Sequence, residues 1–462
     1  MTGSTDCRGV PLSTDDPVLI AELERIHEDS LAMCGDPVAE VTDLLNRHPD
    51  FVFALCFKAG MLTQSMETRI YPDLVAAVEA AEAQWARAND RERGHIRAVR
   101  AWVEGDFHGA VQHWDAVLVE HPRDLLALQL VHLTGVLLGD ITNQRDCVAR
   151  VFPAWDEAVP GYGYVLGYYA FGLEEMRDFS RAEEYGRRAL ALNHKDAYAI
   201  HAVAHVMEMQ GRQGAGIHFL NERAPDWAPG NFSNHLWWHL SLFHLDLDQV
   251  DAVLRIYDGQ LRAADAAGDR YQELDAAALL WRLTLLGTDV GSRWTALADK
   301  WAHAATDTLY AFNDVHAMMT FVADRRMDLA HTLLTANERY VEHAGDANVA
   351  MSRIIGIPFC KALCAFAQGD YASTVATLMP LRYRTHRLGG SHAQRDILNW
   401  TLVEAALRAG QYPLGLALAN ERLGQKPTSP QNWRLRARAL EGMGRRTECS
   451  QALAKAESLL AA

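Results

Sequence analysis

Four windows of this chain repeat one layout, and no other feature restricts its fold as tightly. Glu104-Gly-Asp-Phe107 is followed by Ala110, Trp114 and Val117, then by His121-Pro122-Arg-Asp124. Glu175-Met-Arg-Asp-Phe179 is followed by Ala182, Gly186 and Ala189, then by Asn193-His-Lys-Asp196. Gln368-Gly-Asp-Tyr371 opens a third, less complete version, and Ala409-Gly-Gln-Tyr412 opens a fourth that closes at Lys426-Pro427. Small residues at fixed offsets let two helices approach, an aromatic ring fills the gap, and Pro or Asn-x-x-Asp marks the exit. A unit of this kind cannot bury its apolar face alone, so neighbours must stack.

The layout is that of tetratricopeptide helix–turn–helix units. The expected fold is all-α: a tetratricopeptide-like solenoid of helical repeats curled around a concave cavity. Helical periodicity runs from Pro17 onward, and Val/Ile/Thr strand runs are scarce. The expected division is an N-terminal helical cap over 1–60, degenerate repeats over 61–405, and a C-terminal repeat with a capping helix over 406–462. A net charge of −15 and a pI near 5.7 argue against nucleic acid or an anionic membrane as a partner. Seven scattered cysteines suit a reducing compartment, and Cys360 and Cys364 read as core thiols. The N-terminus has neither the basic nor the apolar segment of a signal peptide, and the apolar run Leu125–Leu138 is too short to span a bilayer. A cytoplasmic protein is expected.

Within that fold the histidines need an explanation. The stretch Asp196–His244 holds six of the twenty, including the i,i+4 pairs His201/His205 and His235/His239. Chance alone gives roughly 0.9 such pairs in a chain of this composition. The repeat register adds more. First helices of successive units should begin near 92, 126, 162, 197, 234, 273 and 309. His95, His132, Tyr169, His205, His239 and His316 then fall at comparable depth in six of these seven helices. First helices line the concave side of such stacks, so the stripe is expected to project into one cavity. The structural alternative for each is a buried histidine bonded to a neighbouring carbonyl.

Further candidates join the stripe. Glu208 shares a helical face with His201 and His205. Asp314 and His316 converge only if a helix starts there with Asn313 or Asp314 as its cap. Gly389-Gly-Ser-His-Ala-Gln-Arg-Asp396 is a turn that feeds a helix. Ser391 can cap that helix, and Gln394, Arg395 and Asp396 fall in its first turns, where Arg395 could hold an anionic group. Trp238 packs between helices or floors a pocket.

Several long motifs resemble the tetratricopeptide repeat protein 38 family. They are Asp6-Cys7 with Pro11-Leu12-Ser13, the run Val148–Trp155, Tyr169-x-Phe-Gly-Leu173 and Asp196-Ala-x-x-x-His201-x-Val-Ala-His205. His235-x-x-Trp238-His239, Phe312-Asn-Asp-x-His316 and Gly389-Gly-Ser-x-Ala-Gln-Arg-Asp396 complete the set. The resemblance covers nearly the whole chain. It implies an all-helical repeat fold, with His at the positions of His95, His132, His201, His205, His235, His239 and His316, and Glu at Glu208. It implies no particular reaction.

Two functions follow as expectations. In the first, a divalent transition metal (Zn, Mn or Fe) is bound by His201, His205, His235, His239 and His316. Hydrolase-type chemistry on a small-molecule substrate then engages Glu208, Asp314, Arg395 and Tyr169, with His95, His132, Trp238, Gln394 and Asp396 lining the cavity. The same histidines could instead act as acid and base without metal. In the second, the chain is a scaffold that grips a peptide in its concave groove. The absence of Gly-rich phosphate or dinucleotide loops makes a nucleotide-dependent enzyme a poor fit.

Overall fold

The aspartates of the repeated windows explain why the helices begin where they do. In the computed structural model, which describes residues 4–262 and 270–461, Asp106, Asp178 and Asp370 are N-caps. Each accepts a backbone N–H from the first turn of the helix it precedes: Phe107–Glu120, Phe179–Leu192 and Tyr371–Leu378. The closing aspartates do the same one helix later. Asp124 caps Leu125–Leu138, and Asp196 accepts from Ala199 at 2.9 Å at the head of Ala197–Met209. The Gly-Asp-aromatic signature is therefore a turn, a cap and the first packed ring of a second helix. The fold is an all-α, tetratricopeptide-like repeat of paired helices. Among the described residues there is no strand, only an isolated bridge between Thr5 and Pro11.

The seven first helices begin at Asp90, Leu125, Tyr162, Ala197, Ser233, Arg270 and Ala311, each within three residues of its expected start. Ala311 is the informative departure. The helix starts two residues before Asn313, with Tyr310 at the cap position, so Asp314 lies inside the first turn.

The chain forms two compact units. The first comprises Met1–Val203, Pro225–Ser233 and Ala344–Ala350, and the second Ala204–Ala224, Asn234–His343 and Met351–Ala462. The boundary falls inside the helix Ala197–Met209, between Val203 and Ala204. Neither residues 1–60 nor 406–462 separate as a unit of their own.

In the first unit, Asp90–Val103 packs on Phe107–Glu120, and Tyr162–Glu175 on Phe179–Leu192. Approach is close because Gly172 faces backbone: a Cβ there would stand 2.8 Å from the Arg145 Cα. The N-terminal segment is strapped to this unit by a buried polar network. Glu92 accepts from both the N–H and the hydroxyl of Ser13, and Asn89 and Arg91 donate to the Pro11 carbonyl. Arg91 pairs with Asp124 at 2.6 Å.

In the second unit, Ile357–Ala367 packs on Tyr371–Leu378, and Tyr412–Gln425, Pro430–Gly442 and Arg446–Leu460 follow as successive neighbours. One continuous helical stretch, Ala347–Ala367, is long and apolar enough to cross a membrane, although 61% of its most apolar window is buried inside the protein. Leu125–Leu138 is one of two shorter apolar helices among the described residues.

Candidate functional site: a histidine–carboxylate cluster in the second unit

Three helices deliver the site. Ala197–Met209 brings His205 and, three residues later, Glu208. Ser233–Asp246 brings His235, Trp238 and His239. Arg270–Leu285 brings Asp275 and Arg282. All of these residues lie in the second unit. One nitrogen from each of His205, His235 and His239 lies within 4.8 Å of the other two. The His205 and His239 rings meet edge to face at 4.4 Å between centroids, and His235 and His239 do so at 4.7 Å.

Carboxylates orient two of these rings. His235 Nδ1 lies 2.8 Å from Asp275 Oδ2, and His239 Nδ1 lies 3.0 Å from Glu208 Oε2. The opposite nitrogens face each other, with Nε2 to Nε2 at 3.2 Å. Counting protons shows what this geometry demands. Two neutral imidazoles carry one N–H each, and if those hydrogens go to the carboxylates, two lone pairs confront each other at 3.2 Å. A third proton or a metal cation must then sit between them. Two nitrogens bound to one tetrahedral zinc stand about 3.3 Å apart, each about 2.0–2.1 Å from the ion. An imidazole whose far nitrogen donates to a carboxylate is also the usual arrangement of a ligating histidine. The third proton has a host as well: burial raises the Glu208 carboxyl pKa, opposed by the positive charge of Lys426, His205 and Arg282.

The indole of Trp238, fully buried, lies nearly parallel to the His235 ring, at 5.2 Å and 16°. Arg282 sits 5.2 Å from the centre of that indole. His201, one turn before His205 on the same helix, belongs to the first unit, where it stacks on Phe171 at 5.0 Å and meets Phe232 edge-on.

The expected stripe divides between the units, three residues in each, and most of its members have a structural partner. His95 Nε2 lies 2.9 Å from Asp124 in the buried network of the N-terminal strap. His132 donates from Nδ1 to the Gln144 carbonyl and accepts from the Tyr198 hydroxyl, which satisfies both nitrogens of a neutral ring; burial holds its pKa down at about 3. Tyr169 turns toward Phe152 and Tyr185, and its hydroxyl accepts from Arg181, so it is a packing residue. His316 donates to the Phe312 carbonyl at 2.7 Å, and burial lowers its pKa to about 4. It is a core histidine, and Asp314, two residues earlier on a straight helix, points elsewhere.

The Gly-Gly turn is likewise occupied by its own structure. Ser391 and Gln394 form a capping box, and Arg395 donates to the Gly390 carbonyl. Gly390 has φ +75°, and a Cβ there would meet the Phe312 ring at 2.6 Å, so glycine is required. Asp396 pairs with Arg422 through both oxygens. Glu208, expected among the catalytic groups, lies against His239 Nδ1. Asp275 was missed by the sequence reading, although a lone carboxylate in the apolar run Leu274-Asp-Ala-Ala-Ala-Leu-Leu-Trp281 is a visible signal.

No protein-family model matches the chain. Among solved structures it is similar to a human IFIT1 dimer with PPP-AAAA, at 12% identity and a TM-score of 0.41, over 94% of this chain and 100% of that one. A human IFIT1 dimer with m7Gppp-AAAA matches at 13% identity and a TM-score of 0.36, over 98% of this chain and 96% of that one. A structure of Naa15/Naa10 bound to HypK-THB matches at 12% and 0.25, over 96% and 64%. Likeness at these levels carries no information about ligand, partner or activity.

Proposed function

We propose that this chain is a helical-repeat binding protein whose second unit holds a divalent transition metal through His205, His235 and His239. The facing Nε2 atoms at 3.2 Å, each ring held from behind by a carboxylate, carry the reading. The sequence resemblance to the tetratricopeptide repeat protein 38 family, with His at these positions, is consistent with it.

Binding is favoured over hydrolase-type turnover. Glu208 is bonded to His239, the Tyr169 hydroxyl to Arg181, and Arg395 to the Gly390 carbonyl. In this arrangement the carboxylates beside the cluster orient imidazoles, which suits a binding site. Isothermal titration with zinc across pH 6–8 tests the proposal. Metal must displace the bridging proton, so binding should release protons and tighten as pH rises. Absence of heat and of proton release at micromolar zinc would defeat it.

A second reading, a scaffold that grips a peptide, has its own observation. A cleft of about 510 Å³ in the second unit is lined by Trp400, Arg408, Arg434 and Arg438, with Glu404 and Asp248 between the arginines. Acidic peptides are the partners it suits, and Arg434→Ala/Arg438→Ala would abolish their capture without changing zinc binding.

A further inference from the structure

The cleft of about 510 Å³ in the second unit is walled by two helices, each presenting one face to it. Gln431, Arg434, Leu435 and Arg438 line it at the spacing of a single face of Pro430–Gly442. Trp400, Glu404 and Arg408 do so for His392–Arg408. Val250, at the start of Val250–Ile256, and Leu285 and Leu286, at the end of Arg270–Leu285, add an apolar part to the lining. Leu285 and Leu435 are buried, but Val250 and Leu286 keep part of their surface open.

Two polar features of the lining are left with capacity to spare. Glu404, 2% exposed at its side chain, is held by Arg408 at 2.6 Å and by both terminal nitrogens of Arg438 at 2.7 and 3.0 Å. Arg434 is met by Asp248 at 2.6 Å and by the exposed Glu457 at 3.5 Å. The donors that remain belong chiefly to Arg438, whose side chain is 47% exposed and commits two of its five N–H groups to Glu404. The second feature is the indole of Trp400. This residue is 6% exposed, and its buried Nε1 has no acceptor among the described residues. A buried N–H without an acceptor is costly, and an occupant that carries a carbonyl oxygen removes the cost.

We infer that this cleft docks a short peptide segment in which an apolar side chain is flanked by acidic ones. The apolar side chain covers Val250 and Leu286, an acid meets Arg438, and a main-chain carbonyl accepts from Trp400. A segment with acidic side chains alone leaves the apolar lining in water, and a hydrocarbon occupant leaves Trp400 and Arg438 unmet. A peptide with both kinds of side chain satisfies all three. The inference rests on the peptide reading above for the occupant's acidity; the apolar anchor and the main-chain bond are its additions.

The test is fluorescence anisotropy on the intact, tag-free chain with two blocked, fluorescein-labelled peptides, Asp-Glu-Leu-Glu-Asp and Asp-Glu-Ser-Glu-Asp. The leucine peptide should bind one-to-one, and the serine peptide at least tenfold more weakly, the loss of one buried aliphatic side chain. Val250→Ser/Leu286→Ser should bring the leucine peptide down to the affinity of the serine peptide and leave zinc binding unchanged. If that pair does not fold, Val250→Ser alone should still narrow the gap severalfold. Trp400→Phe, which keeps a ring and removes the donor, should weaken both peptides severalfold. Equal affinity of the two peptides for wild type, or no effect of Val250→Ser or of Trp400→Phe, overturns the inference and leaves the acidic-peptide reading standing. If neither peptide binds at millimolar concentration, both fall. Self-association of the chain that Val250→Ser abolishes would assign the cleft to a second copy and overturn the inference as well.

Discussion

His132 and His239 look alike in the sequence and do opposite work. His132 is a neutral ring with both nitrogens satisfied, so His132→Ala should leave the buried Tyr198 hydroxyl unpaired and cost about 1–3 kcal/mol, read as a fall in Tm with zinc binding intact. His239→Ala should abolish zinc binding with a smaller change in Tm. Asp196 gives a prediction of the other sign. Burial raises its pKa to about 7, and only one carboxylate oxygen caps the helix. The folded chain then holds a proton that the unfolded chain gives up above 3.8. The contribution to stability is complete below about pH 4 and is lost as pH rises through 7. Asp196→Asn keeps the capping oxygen, so it should raise stability at pH 8 by at most roughly 4 kcal/mol, read as a higher Tm, and change little near pH 4. Residue types and spacing were legible in the sequence, but ring direction was not. A helix turns about 100° per residue, and the ring beside His132 is Tyr168 at 4.8 Å, one place from the expected Tyr169.

Helices were the most legible level, because their starts are written in capping chemistry that is local to the chain. Asp106, Asp124, Asp178, Asp196 and Asp370 all cap as the repeated windows imply. Tyr310 is the exception: its side chain makes no capping bond, and this helix starts two residues from the position near 309 that the repeat register implies. Asp275 was missed for a related reason: its partner, His235, is 40 residues away, and no local rule connects them. Element packing makes a paired prediction about glycine. At Gly172 a Cβ would press on the Arg145 backbone, which has no side chain to move aside. Gly172→Ala should cost about 1–3 kcal/mol. Gly424, in the helix Tyr412–Gln425, has nothing within 4 Å of its would-be Cβ, so Gly424→Ala should be neutral or stabilise by up to ~1 kcal/mol. Urea midpoints of the two variants check both signs.

At the scale of the whole molecule, the buried histidines set the acid limit. Burial lowers His27 to about 4, His132 to about 3 and His316 to about 4. Between those values and their ordinary 6.5, the unfolded chain binds protons that the folded chain refuses, so stability falls as pH drops from 6.5 toward 4. Two of these residues lie in the first unit and one in the second, so both should lose stability in that window, visible as falling calorimetric Tm. The histidine cluster is a separate matter, because its chemistry depends on which cation occupies the gap between His235 and His239. Elemental analysis of tag-free protein, beside His205→Ala/His239→Ala, addresses that most directly. The account predicts close to one equivalent of a transition metal in the wild type and none in the variant; a folded wild type that carries no metal and acquires none from micromolar zinc, manganese or iron would contradict it.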